Sequence, residues 1–322
     1  MKHATLRQLK IFETVGRLLS FSRAAEELHL TQPAVSTQVK QLSLHAGVAL
    51  FEQFGKKINL TPAGAELLQF SRAIIQQFRE ADEAMARHKG VSGGKLNVAV
   101  ISAGGYFFPR VLAEFMRRHP GVALNLAVHN REELLHQLAG NLTDLAIMVR
   151  PPDGIGTVSQ PFAPHPYVIV AAPDHPLARR RRIPVDSLLR EPFVVREKGS
   201  DTWNSMEEGF GRRLKQLNVA MEIRSTETIK QAVIAGMGLS FLSAHTISLE
   251  LRVGSLAILD VAGFPLMLNW YVVHLEKKRL PPVALAFSEF LRDEGASLIE
   301  KITQVRMAPP RAPRRSARAR RA

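Results

Sequence analysis

Along the first sixty positions, apolar residues recur at helical spacing in three short bursts, followed by an alternating stretch. Leu6, Leu9, Phe12 and Val15 mark one amphipathic helix. Ala24, Ala25 and Leu28 give a second helix a small, close-packing face, and Ser22 is placed to cap it. His29–Leu30–Thr31 forms a turn. Thr31 caps a third helix that runs from Gln32 to about Leu42, with Pro33 in its first turn, where a missing N–H costs little. Val35, Val39 and Leu42 form its thin apolar seam. Gln32, Ser36 and Lys40, beside Pro33, Thr37 and Gln41, face outward, and Gln38 completes the candidate set. A helix showing amides, hydroxyls and one cation suits the major groove of double-stranded DNA. A generic helical hairpin would carry the same two faces, so the flanks matter. Leu50–Leu60 reads as strand, basic tip and strand, with Lys56 and Lys57 placed to meet phosphates and Thr61–Pro62 starting a helix.

The period then changes. Leu67, Ser71, Ile74, Phe78, Ala81 and Met85 are spaced 4-3-4-3-4, a coiled-coil seam whose natural occupant is a second chain. A helix docked on its own domain is the alternative. Gly90–Gly94 breaks the pattern as a hinge. Beyond it strand and helix signals alternate: Leu96–Ile101, Tyr106–Arg118, Val122–Val128, Arg131–Ala139 and Leu145–Val149 read as βαβαβ. A second set follows with strands Val168–Ala171, Phe193–Val195, Met221–Ile223 and Leu239–Leu242 and helices Ser205–Gln216 and Thr228–Ala235. Strand Leu268–Val273 and helix Pro282–Asp293 have no mates left there and return to the first set. Two α/β lobes joined by two crossings resemble periplasmic binding proteins. The predicted fold is therefore α/β, with an N-terminal winged helix-turn-helix (1–62), a linker or dimerisation helix (63–90) and a two-lobed ligand-binding domain (91–302). Its first lobe spans about 93–162 and 267–300, the second about 163–266.

Charge sharpens the picture. The chain of 322 residues carries a net +14, of which seven positive charges are arginines of the tail 303–322. Subtracting the tail leaves +7 for the rest, and residues 1–62 hold +4, a modestly basic balance suited to phosphate binding. The Pro/Ala/Arg tail cannot bury a core and is expected to be disordered. Its pull on DNA is non-specific, or it is merely solvated. The absence of cysteine excludes disulfides and thiolate chemistry. No signal peptide and no apolar run of about 20 residues is present, so the cytoplasm is expected and no membrane partner.

Open parallel sheets bind ligands beyond the carboxyl ends of their strands. Four places qualify, the last with a facing helix start. Ser102 and Gly104 follow the first strand, as a backbone anion cradle or a tight turn needing glycine. Asn130 follows the second. Arg150 leaves the third, as a carboxylate or phosphate clamp or an interdomain salt bridge. Arg196, Lys198, Ser200 and Thr202 precede a helix, and Glu227 and Thr228 start the next, with Thr226 read as an ordinary cap. Cations and hydroxyls together point to a small anionic metabolite, and several phosphate-sized anchors weigh toward a phosphorylated one. Gly236–Gly238 reads as a helix C-terminal turn, Arg179–Arg182 as a solvated loop, and Trp203 and Trp270 as core or cleft wall. The histidines lack metal-ligand spacing and no nucleophile elbow is present, so no metal, cofactor or catalytic residue is expected.

Leu9–Phe12, Phe21, Ala24–Ala25, Leu28, Thr31–Ser36, Leu42, Leu50–Phe51 and Leu60–Gly64 resemble the N-terminal domain of LysR-type transcriptional regulators. Gln53 stands where that family often has Arg. The segments Asp144–Pro152, Phe193–Ser200, Ser225–Thr246 and Asn269–Pro282 are similar to the branch activating Calvin–Benson–Bassham (RuBisCO) operons. Lys198 departs from that branch, where a small or neutral residue is expected. The resemblance implies a non-enzymatic activator that pairs through antiparallel linker helices, assembles as a homodimer or homotetramer, bends pseudo-palindromic DNA and contacts RNA polymerase. It implies a phosphorylated sugar, phosphoenolpyruvate, a nucleotide or NADPH as effector. Control of another operon by a small organic acid is the alternative.

Overall fold

The computed structural model describes residues 4–54, 57–87 and 94–305 and divides them between two compact units, Met1–Val91 with Ala139–Leu142 and the remainder. In the first unit α1 (Leu6–Leu18), α2 (Phe21–Glu27) and α3 (Gln32–Ala46) precede the hairpin β1 (Phe51–Phe54) and β2 (Lys57–Leu60) and the long α4 (Pro62–Arg87). Thr5 and Gln8 cap α1 reciprocally. The cap of α2 is Ser20, not Ser22. Ser20 is extended, with φ −158°, so its hydroxyl accepts from Arg23 N, whereas Ser22 lies inside the helix and is exposed. Thr31 caps α3 as expected, accepting from Ala34 N. The helix continues four residues past Leu42 to a stop at Gly47, φ 74°.

Ile11, Val15, Ala24, Ala25, Val35 and Val39 form one buried cluster, and Leu9, Phe12, Leu42, Leu50 and Leu68 a second. The Leu60–Gly64 motif has a steric origin. Thr61 Oγ1 donates to Ala49 O at 2.7 Å and accepts from Gly64 N, and a Cβ on Gly64 would stand 2.0 Å from Leu50 O. The expected α4 seam is corrected in part. Leu68, Ser71 and Ile75 face α1 in their own unit, and Arg72 pairs with Glu13 at 3.3 Å. Ile74, Phe78 and Ala81 of the seam are exposed, joined by Phe70, while the side chain of Met85 and residues 88–93 lie outside the described residues, as does the tail from 306.

The second unit opens with β3 (Gly94–Ile101), α5 (Phe108–Arg118), β4 (Val122–His129), α6 (Arg131–Ala139) and β5 (Leu145–Met148), with β3 pairing in parallel with both other strands. A 3-10 turn over Ser102–Tyr106 delays α5 by two residues. Then come β6 (Thr157–Ala171), α7 (Val185–Leu188), β7 (Pro192–Arg196), α8 (Asp201–Phe210), β8 (Asn218–Ile223), α9 (Thr226–Ile234), β9 (Ser240–Ser243), α10 (Ser248–Val253), β10 (Ala257–Ile258), β11 (Leu266–Leu275) and α11 (Pro282–Thr303). β6 and β11 pair antiparallel along the whole of β11 and make the two crossings. β11 also joins β5, which returns the chain to the first lobe. In the second lobe β9 and β10 flank the far half of β6 antiparallel, so the second set is not an all-parallel copy of the first, while β7 pairs in parallel with β8 and, through a bridge from Phe193, with Leu239 just before β9. α8 begins at Asp201 rather than Ser205, which makes Asp201 and Thr202 helix residues. One continuous core runs from the first lobe, around Phe107, Phe108, Phe115 and Trp270, through the crossings into the second, where it takes in Phe193, Phe210 and Phe241.

Candidate functional site

In the first unit, burial of Val35, Val39 and Leu42 fixes the roll of α3. Gln32, Pro33, Thr37 and Lys40 are exposed, with Ser36 and Gln38 half-buried beside them and Thr31 exposed at the cap. Gln41 is drawn sideways, its Oε1 accepting from Gln8 Nε2 at 3.3 Å. The outward face thus offers donors and acceptors in line, the chemistry that reads base edges. Lys57 opens β2 at the hairpin tip, while Lys56 lies outside the described residues.

In the second unit the candidate residues gather at strand ends and helix starts. Ser102 Oγ donates to His129 O at 3.1 Å, tying the ends of β3 and β4. A Cβ on Gly104 would come within 2.2 Å of Val100 Cγ2, so this glycine is required by packing. Asn130 caps α6 through Oδ1, which accepts from Glu133 N at 2.9 Å. Of the two roles read for Arg150, clamp or interdomain salt bridge, the structure shows the ion pair, with Glu208 of α8, which joins the two lobes. Arg196 is buried. Glu197 grips it bidentately at 2.7 and 2.8 Å, and its Nη1 donates to Thr226 Oγ1 at 3.0 Å. Thr226 is therefore this arginine's acceptor, and Ser225 is the cap of α9. Ser200 caps α8 and Thr202 is buried in its first turn, whereas Lys198 is exposed with its ammonium 5.9 Å from the Trp203 ring centroid. Glu227 and Thr228 are both exposed.

Four further side chains join these clusters, Arg131 and Asp201 from segments that the sequence already marks, and Tyr106 and Lys230 from outside them. Arg131 Nη1 donates to Asp201 Oδ1 and to Arg150 O, both at 2.8 Å. Tyr106 donates its hydroxyl to Glu227 Oε2 at 3.3 Å, and Lys230 lies 2.7 Å from both Glu227 and Glu250 and over the Tyr106 ring. Burial raises the Asp201 carboxyl above its ordinary range, against the pull of Arg131. The Lys230 ammonium holds Glu227 below its range. Behind them Trp270 donates Nε1–H to His245 Nδ1 at 3.2 Å, and burial depresses His245 to about 4 and His165 well below the usual imidazole range.

A winged helix-turn-helix with an outward polar helix, on a chain whose other unit is a two-lobed α/β fold, defines a ligand-responsive, DNA-binding transcription regulator. The model of the bacterial regulatory helix-turn-helix proteins of the lysR family matches residues 6–65, and that of the LysR substrate-binding domain matches residues 89–296. The chain belongs to the LysR family of transcription regulators and is not an enzyme. A RuBisCO operon transcriptional regulator of Allochromatium vinosum is 48% identical over 296 residues, spanning 92% of this chain and 98% of that one. The regulatory domain of Synechocystis PCC6803 CcmR in complex with 2-PG is similar at 40% identity and TM-score 0.59, covering 62% of this chain and 96% of that domain. CbnR complexed with its target DNA shares the fold, with TM-score 0.66 at 21% identity over 90% of this chain and 99% of that one. Among the described residues no helix is long and apolar enough to cross a membrane.

Proposed function

We propose that this regulator activates carbon-fixation genes, a RuBisCO operon foremost, in response to a small phosphorylated metabolite held between the lobes of its second unit. The identity with the Allochromatium vinosum regulator over nearly the full length of both chains carries the target. The convergence of Arg131, Arg150 and Arg196 on the strand ends supports an anionic effector, as does the 2-PG complex of the CcmR domain. Residues 1–62 bind DNA, 63–90 pair two chains, 91–302 sense the effector, and the tail from 303 adds non-specific attraction. The protein works in the cytoplasm as a dimer or tetramer that contacts RNA polymerase. An effector acts only through its differential affinity for two lobe arrangements, which re-spaces the DNA-binding pairs.

Two measurements test this. At about 100 times its Kd a ligand adds about 2.7 kcal/mol to the stability of the state it binds. A screen of phosphoenolpyruvate, sugar phosphates, nucleotides and NADPH should therefore raise Tm by several degrees for at least one, and simple carboxylates should not. A shift with unphosphorylated organic acids alone would support the alternative operon and effector. In the DNA unit, Thr37→Ala or Gln32→Ala should weaken operator binding by about 1–3 kcal/mol and spare random duplex. Equal loss on both duplexes would remove these side chains from base reading.

A further inference from the structure

We infer that Asp201 is an internal anion seated in the anion-binding position of Arg131, and that it selects the effector by having to be displaced. The inference rests on the reading of this cleft as the effector site and goes one step further, to the residue that decides which anions enter.

Arg131 is the first residue of α6 and Asp201 the first of α8, so the carboxylate lies where two helix N-termini from different lobes meet a guanidinium. The seat is incompletely used. Asp201 Oδ1 accepts from Arg131 Nη1 at 2.8 Å, but Oδ2 is buried without a hydrogen-bond partner. A buried carboxylate oxygen left unpaired carries its full desolvation cost. Of the neighbouring cations, Arg196 is held by both oxygens of Glu197, whereas Arg150 is held by the half-exposed Glu208 and keeps a buried Nε without a hydrogen-bond partner. Burial also penalises the charged form of Asp201, with Arg131, Arg150 and Arg196 opposing that penalty. The tethered carboxylate has a high effective concentration at Arg131, so an anion of equal charge gains little by replacing it. A dianion with more acceptor oxygens gains a second unit of Coulomb attraction, whereas Asp201 meets Arg131 with one paired oxygen and buries the other without a donor. Asp201 thereby favours phosphate- or sulfate-like groups over monocarboxylates and holds the lobes together when none is bound.

Sulfate is a suitable probe because its charge is fixed between pH 5 and 8. Titrated into the full-length protein at constant ionic strength, with chloride as the balancing salt, it should bind Asp201→Asn at least about tenfold more tightly than wild type. Asp201→Ala should do the same and serves if the asparagine variant folds poorly. Acetate should gain more than sulfate does, because the variant removes the barrier to monoanions. Adding Arg131→Gln to Asp201→Asn should abolish both gains. Unchanged or weaker sulfate binding in both single variants, or a gain that survives Arg131→Gln, would overturn the inference. If the sulfate and acetate gains appear while no phosphorylated metabolite binds any form, this assignment stands and the effector proposal fails.

Discussion

Replacing Asp144 with alanine is expected to lower the stability of the protein by about 3–5 kcal/mol, the range found when one member of a buried ion pair is removed. Asp144 and Lys278 expose only 4% and 2% of their side chains. The ammonium lies 2.9 Å from Asp144 Oδ1 and donates to Thr143 O at 2.8 Å. Asp144 Oδ2 accepts from Asn97 N at 2.8 Å and from Asn97 Nδ2 at 2.9 Å. One carboxylate thus ties the start of β5 to β3 and to the segment after β11. The alanine variant strands a buried ammonium and a backbone N–H together, so the loss exceeds that of an ordinary surface pair. Urea unfolding at pH 7 measures it. Pairing Asp144→Leu with Lys278→Met should recover much of the loss, since apolar replacement of both partners leaves no charge unpaired. A loss below about 1 kcal/mol in the alanine variant would mean that this pair does not anchor the sheet.

This pair also marks the boundary of what the sequence makes legible. The 3.6-residue period of Val35, Val39 and Leu42, the cap at Thr31 and Pro33 near the helix start located the recognition helix, and alternating strand and helix periods located the first lobe. The end of α3 is not legible in the sequence because its apolar stripe stops at Leu42 while Leu44 is exposed. β6 shows only its last four residues in the sequence pattern instead of fifteen because Pro161, Pro164 and Pro166 interrupt the strand signal. Over that stretch β6 has a single sheet neighbour, β11, so a missing N–H on its open edge costs no ladder bond. The cluster of candidate residues at strand ends was foreseeable from topology, since parallel strands send their carboxyl ends to one side. Which carboxylate meets which guanidinium was not. Arg131 and Asp201 lie 70 positions apart and Arg150 and Glu208 lie 58 apart, and only the closed fold brings them together. Ser71 failed for a related reason. A heptad pattern shows that a helix has a seam but not which body fills it, and α1 takes the Leu68, Ser71 and Ile75 face.

What remains of α4 leads to the other large effect. Phe70, Ile74 and Phe78, at i, i+4 and i+8, are 58%, 38% and 52% exposed, a stripe on the helix face turned away from α1. Burying a side chain of this size contributes roughly 1.5–3 kcal/mol, so three from each of two chains supply on the order of 10 kcal/mol before the costs of association. Ile74→Glu combined with Phe78→Glu should therefore give a mass of one subunit in light scattering. Operator affinity should fall by roughly 10²–10⁴-fold, because the second half-site no longer benefits from the effective concentration that pairing provides. Both positions are surface positions of the single chain, so its own unfolding midpoint should hardly move. Gln69→Glu adds one such charge about 140° round the helix from the centre of the stripe, where the side chain is exposed, and should leave mass and affinity unchanged. Retention of the assembled mass by the double variant, with operator binding intact, would assign pairing to another surface and leave this stripe without a partner.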